Sequence, residues 1–339
     1  MLAKVIRLFF RKHFIFIYTF LFITACNINP LDVDVSSQQI NLSIKRFDID
    51  LTAHANDFNF LRSKYDNFFY RYCNNLIPRI RDDSTSADSV LTHFITDADF
   101  IEVNRAVQDT FKNISETEEQ IRDAFRHYKY YFLLNKIPEV ISFVSLFNYG
   151  VISTDSVLGI GLDMYLGSNS KYYTGLNFPD YKIIHMHKEY IPVDAMRGWL
   201  ESEYVFDDSN HDFISQIIFK GKILYLLDAL LPKMNDTLKT GYSALQLKWC
   251  YENEKNTWSF FVEKKLLFSN SLEQYTKYIS EGPTTNGFPK ESPGNIAAFT
   301  GWQIIKSYMK ENTSVTPDKL MNENDAAIIL KNSKYKPKK

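Results

Sequence analysis

Phe213-Ile-Ser-Gln-Ile-Ile-Phe-Lys-Gly-Lys-Ile-Leu-Tyr-Leu-Leu-Asp-Ala-Leu-Leu231 runs apolar on nearly every side and stops at Pro232. A helix without a polar face has to be wrapped by the rest of the chain, so this stretch predicts a buried central helix. Gln216, Lys220, Lys222 and Asp228 inside it argue against a membrane span, where such groups are costly. Gly221 sits between two lysines, where glycine costs about 1 kcal/mol relative to alanine in a helix. Close approach of a second helix explains it. The partner is expected in the segment after Pro293, where Gly294, Ala297 or Ala298, and Gly301 fall on one face at spacings of three and four.

Outward from this helix the chain reads as helix-dominated. Helical spacing covers residues 58–74, 97–113, 179–190, 192–204, 242–268, 292–310 and 316–331. Ser115-Glu-Thr-Glu118 has the pattern of a capping box and opens a helix to Leu134. Residues 40–50 alternate apolar and polar side chains, the period of a half-buried strand. Residues 140–147 and 157–165 are β-branched or apolar runs, read as a hairpin turning through Asn148-Tyr-Gly150. The expected fold class is α+β: one helix-dominated domain with a small antiparallel sheet. The organisation is a signal peptide at 1–25, a tether at 26–39, the globular domain at 40–333 and a basic, unstructured tail at 334–339.

Composition limits the function. With 45% apolar and 23% charged residues the 339-residue chain is a globular protein with ample core. Its formal charge is −1, and removing the four cations before Cys26 makes it −5. A mildly acidic surface without basic clusters excludes a nucleic-acid partner.

The N-terminus carries an export signal. Lys4, Arg7, Arg11 and Lys12 precede the uncharged run FIFIYTFLFITA, which is too short to span a bilayer but suits the apolar region of a signal peptide. It ends in Ile23-Thr24-Ala25-Cys26, an aliphatic residue and two small ones before cysteine, resembling a bacterial lipobox. Cys26 is the expected lipidation site, with the protein held in a membrane by that lipid. Cys73 and Cys250 lie among aromatic residues and are expected as buried free thiols.

Enzyme motifs are missing: there is no HExxH, no GxSxG, no glycine-rich phosphate loop and no CxxC. His185 and His187, read as helical, would point about 200° apart and could not share one ion, so they are expected as exposed residues. Asp163, at the end of a predicted core strand, and Asp194, in the helix beyond it, could do acid–base work, but a strand-end aspartate more often caps a turn. Trp302 and Gln303, next to Gly301, could line a cleft with them, although tight core packing is the favoured reading there. No metal ligand set and no cofactor are expected.

These blocks resemble the GldB-type gliding-motility lipoproteins of the Bacteroidota. The resemblance rests on Ile44-Lys-Arg-Phe-Asp48, Gly161-Leu-Asp-Met-Tyr-Leu-Gly167 with Tyr172-Tyr173, and Phe219-Lys-Gly-Lys-Ile-Leu-Tyr225 with Pro232. Gly282-Pro283, Pro293-Gly294, Gly301-Trp-Gln303, Ser307-Tyr-Met309 and Ser333-Lys-Tyr-Lys-Pro337 extend it over nearly the whole chain. It implies a periplasm-facing lipoprotein that supports the motility and secretion apparatus of the envelope, with protein partners there. The family is also distantly similar to zinc metallopeptidases, with Tyr190-Ile-Pro-Val-Asp-Ala-Met-Arg197 where their zinc helix would lie. That segment has no ligand spacing, which implies a zincin-like scaffold without its metal, kept for binding. The alternative is a hydrolase or carrier acting on peptide or peptidoglycan in a cleft near Asp163, Asp194 and Trp302. Asn27 after Cys26, and no acidic cluster beyond it, favour the outer membrane, facing the periplasm.

Overall fold

Arg46 and Asp48 form an ion pair, 2.6 Å between Nη2 and Oδ2, at the start of the folded body. Ser142 also donates its hydroxyl to the fully buried Asp48. These contacts pin the first strand to the second. A computed structural model describes residues 29–55, 57–78, 86–207 and 212–338; the signal peptide and Cys26 lie outside them. Residues Asp34–Lys339 form one compact unit, helix-dominated with a four-stranded sheet.

Strand β1 (Ile44–Arg46) is followed directly by helix α1 (Phe47–Ala53), and then by α2 (Phe58–Arg71), α3 (Ala87–Thr96), α4 (Ala98–Thr110) and α5 (Ser115–Tyr131). The expected strand over 40–50 is therefore cut to three residues. Phe47 turns inward to pack edge-on against Tyr65, Phe68 and Tyr72, with centroids 4.7–5.2 Å away. That burial outweighs the alternating pattern. Helix α3 was not foreseen. Helix α5 begins at Ser115 without a capping box: Ser115 instead donates its N–H to the Asn113 side chain.

Strands β2 (Glu139–Phe143), β3 (Val151–Ser153) and β4 (Val157–Gly161) complete the sheet, in the order β1-β2-β4-β3. The expected antiparallel sheet is corrected to a mixed one. β2 runs parallel to both β1 and β4, and only β3 is antiparallel, pairing with β4. The hairpin is the β3–β4 turn, not a return through Asn148. β2 enters a loop in which Leu146 and Phe147 both have positive φ (55° and 66°), and the chain comes back on the outer edge before β4 inserts beside β2.

The helical half holds α6 (Ile191–Glu203), α7 (Phe213–Leu230), α8 (Ala244–Glu252), α9 (Glu254–Glu263), α10 (Leu272–Ile279), α11 (Ile296–Glu311), α12 (Pro317–Asn322) and α13 (Ala326–Ser333). α7 is the expected central helix, buried on all sides from Gly221 to Leu230, with Ser215, Gln216, Phe219 and Lys220 before that half-buried. α11 lies against it, with Gly221 facing Gly301. The predicted helix over 179–190 is broken into Asp180–Ile183 and the single turn Lys188–Tyr190. α10 was not foreseen, and the last predicted helix divides into α12 and α13. The tail is tied down at its first residue beyond Lys334: Tyr335 donates its hydroxyl to Glu254 at 2.9 Å and packs edge-on to Trp258.

Cys73 and Cys250 are free and buried, as expected. Burial pushes the Cys73 thiol up to about 12, which leaves it protonated and inert.

Candidate functional site

Helices α6 and α7 hold one wall of a cavity of about 1240 Å³, and α8 with the loop leading into α11 holds the other. On α6, Asp194 and Arg197 are one turn apart and both reach the cavity. Tyr165 donates its hydroxyl to Asp194 Oδ2 at 3.0 Å. Burial pushes the Asp194 carboxyl up to about 6, against the pull of Arg197 and the Tyr165 hydrogen bond. The group can therefore change protonation near neutrality, as an acid or base must.

Arg197 faces the same space while donating from Nη2 to the Lys239 carbonyl. Lys220, two turns into α7, faces the cavity from the same wall, its ammonium held below its usual pKa by burial. It has no hydrogen-bond or ion-pair partner among the described residues. Glu201 and Glu281 are close enough to favour its charge but not to pair with it. Tyr181, Trp249 and Phe219 give the walls aromatic surface, and Leu245 on the rim is 79% exposed. Asn295, at the start of α11, has φ +53° and a buried Oδ1 without a partner.

Of the four cleft residues named from sequence, only Asp194 lines this cavity. Asp163 is fully buried elsewhere and caps the β2 loop, its Oδ2 accepting from the N–H groups of Ser145 at 3.1 Å and Phe147 at 2.6 Å. Trp302 is also fully buried. Its indole donates to Asp228 Oδ2 at 2.7 Å, and the Lys306 ammonium sits 3.3 Å from the ring centroid. Gln303 is buried with Nε2 unpartnered. Gly301 decides this arrangement: it faces α7, and the next two side chains are carried round into the core.

The histidines also differ from expectation. His187 is extended and bridged to Leu166, with Nδ1 2.6 Å from Glu189 Oε2, while His185 lines the cavity. Both are half-buried, and both rings lie 4.8 Å from the ring of Tyr190. Among the described residues no group of three or more His, Cys, Asp or Glu is placed to hold a metal ion. Sequence reading missed Arg197 and Lys220. Lys220 was visible as a charge in an apolar run, and Arg197 as the residue one turn after Asp194.

Residues 28–337 match the family model described as gliding motility protein GldB. The chain belongs to the GldB family. No curated protein and no solved structure matches it. The blocks that carry the GldB resemblance now have physical roles. Ile44–Asp48 locks β1 to β2, and Asp163 holds the β2 loop. Tyr173 donates its hydroxyl to the Asp163 carbonyl at 2.8 Å. The lysine–glycine–lysine of α7 and the Gly301–Trp302 pair of α11 form the helix crossing beside the cavity. A GldB protein has a role in gliding motility. Among the described residues no helix is long and apolar enough to cross a membrane.

Proposed function

We propose that this GldB protein is a lipoprotein held by Cys26 in the outer membrane, facing the periplasm. There it supports the gliding and secretion apparatus by binding a peptide segment of an envelope partner in the α6–α7 cavity, without catalysis. The single observation behind this is the cavity wall: Arg197 and Lys220 face about 1240 Å³ with no carboxylate paired to either, beside aromatic surface. Ligand sites for small molecules occupy roughly 300–1,000 Å³, so this one takes a length of chain. Two half-buried cations without a carboxylate partner favour a peptide that brings acidic side chains.

The test is a selection of random displayed peptides on the full-length protein in detergent. Acidic peptides should be retained, and Lys220→Glu should turn the preference towards basic ones. No retention above an empty support would overturn the reading.

A hydrolase is the second reading, favoured by the carboxyl of Asp194 near pH 6 inside the cavity. Asp194→Asn separates the two, because asparagine keeps the hydrogen bond from Tyr165 but cannot act as a base. Gliding restored by Asp194→Asn at normal protein level fits binding. Loss of gliding at normal level fits catalysis.

A further inference from the structure

The turn that follows α5 exposes two adjacent leucines, Leu133 at 65% and Leu134 at 97%. The exposure is held in place. Lys129 donates its ammonium to the Leu133 carbonyl at 2.6 Å, and the Asn135 N–H returns to the Phe132 carbonyl. The Asn135 side chain donates to the Tyr128 hydroxyl at 2.8 Å. A turn fixed by these bonds presents its leucines to water permanently. Val205, 81% exposed, belongs to the same end, because the neighbouring Tyr204 ring packs 6.0 Å from Phe132. Tyr130 is exposed nearby, and so is Lys136.

The path of the chain points to what covers this tip. Ile44 donates its N–H to Glu118, and two residues earlier the Leu42 carbonyl accepts from Arg122. Two extended residues and four helical ones both span about 6–7 Å. Going back towards the N-terminus, the chain thus runs along α5 towards its C-terminal end. That end carries Leu133 and Leu134. The parallel ladder agrees: β1 starts beside the start of β2, and Lys45 pairs with Glu139 at 2.7 Å, a few residues past the turn. Cys26 lies upstream on the same segment, at most roughly 60 Å of extended chain from Ile44.

We infer that the Leu133–Leu134 turn, with Val205, Tyr130 and Lys136 around it, is a docking tip that enters the lipid surface of the membrane holding the anchor. The inference rests on the lipid-anchor reading given above. Leucines enter the acyl boundary, a tyrosine suits the headgroup level, and a lysine meets lipid phosphates. With the lipid, the tip gives the body two points of attachment and so a fixed orientation.

Leu134→Cys tests this in the full-length protein, since Cys73 and Cys250 are buried and an acylated Cys26 is not reactive. The new thiol is labelled with an environment-sensitive fluorophore, and the protein is placed in phosphatidylethanolamine–phosphatidylglycerol vesicles containing spin-labelled lipid. Quenching should be at least threefold stronger than for the same label at Leu272→Cys, on α10. Equal quenching at both positions on protein whose Cys26 carries lipid overturns the docking tip and leaves the anchor standing. Quenching at position 134 without lipid on Cys26 supports the tip and removes the anchor. Concentration-dependent self-association abolished by Leu134→Asp, without quenching, would assign the patch to a second copy and overturn the inference.

Discussion

Gly221 and Gly301 meet backbone to backbone where α7 crosses α11. A Cβ on Gly221 would lie 2.2 Å from the Gly301 carbonyl carbon, and one on Gly301 would lie 1.7 Å from the Ile217 carbonyl oxygen. Both obstacles are main chain, which cannot swing aside as a side chain can. Gly221→Leu should therefore destabilise by about 3 kcal/mol, the upper end for overpacking, and even Gly301→Ala should be felt. Thermal unfolding measures both, and an unchanged midpoint for Gly221→Leu would contradict the crossing.

Asp163 holds together a loop whose backbone resists it. Leu146 and Phe147 both sit at positive φ, a conformation costly for large side chains. The Asp163 carboxyl accepts the N–H groups on either side of Leu146. Asp163→Ala leaves one buried and one part-buried donor unpaired and should cost roughly 2–4 kcal/mol. Asp163→Asn keeps an acceptor and should cost under about 1 kcal/mol. Chemical denaturation of the two variants gives the ranking, and equal losses would remove the cap assignment.

The two glycines and this aspartate also mark how far the sequence could be read. The central helix was legible because nineteen nearly all-apolar residues ending at proline allow little else, and Gly221 because its cost demanded a close neighbour. The parallel pairing of β2 with β4 was not, because strand runs carry no sign of direction and the Asn148 turn looked like a hairpin. α3 begins beside a polar run that gave it the look of a linker. Trp302 packs in the core, the reading favoured from sequence, and lines no cleft, because its neighbour Gly301 faces α7 and successive helical residues are about 100° apart. The cavity is built from four separate stretches of chain, so only Asp194, singled out as a carboxylate that could do acid–base work, could be named in advance.

Acidity should read out the buried carboxylates. Burial pushes both Asp163 and Asp194 to about 6, against an ordinary 3.8. Between about pH 4 and 6 these two groups therefore hold more protons in the folded protein than in the unfolded chain. The stability these groups contribute is full below about pH 4 and is lost as pH rises through 6. The double variant Asp163→Asn, Asp194→Asn lacks this term, so it should gain stability relative to the parent as pH rises from 4 to 7. Unfolding midpoints of both proteins across that range check the sign, and a difference independent of pH would refute it.

Cys26→Ser removes the thiol that the lipobox presents. The protein should accumulate as an unprocessed precursor held by its signal peptide. Mass spectrometry of the parent should find a lipid-modified Cys26 at the mature N-terminus. An unmodified terminus further downstream would end the lipoprotein reading.

Asp228 is the hub behind the cavity wall. Its carboxylate takes the Lys239 ammonium at 2.6 Å, the Trp302 indole at 2.7 Å and the Lys306 ammonium at 3.3 Å. Burial opposes the charge on Lys239, but the carboxylates of Asp228 and Asp236 outweigh it and hold the ammonium above its usual pKa. Removing Asp228 leaves that cation buried with one half-exposed partner, and breaking such a pair typically costs about 3–5 kcal/mol. Asp228→Leu should fall in this range. Adding Lys239→Met should recover much of the loss, because the stranded charge goes with it. The Lys239 carbonyl also receives Arg197, so the hub orients one cation of the cavity. Asp228→Leu should then weaken peptide retention beyond what its stability alone explains, while Trp302→Phe, which removes only the indole donor, should leave retention intact. Equal retention by all three proteins at matched folded concentration would separate the hub from the cavity.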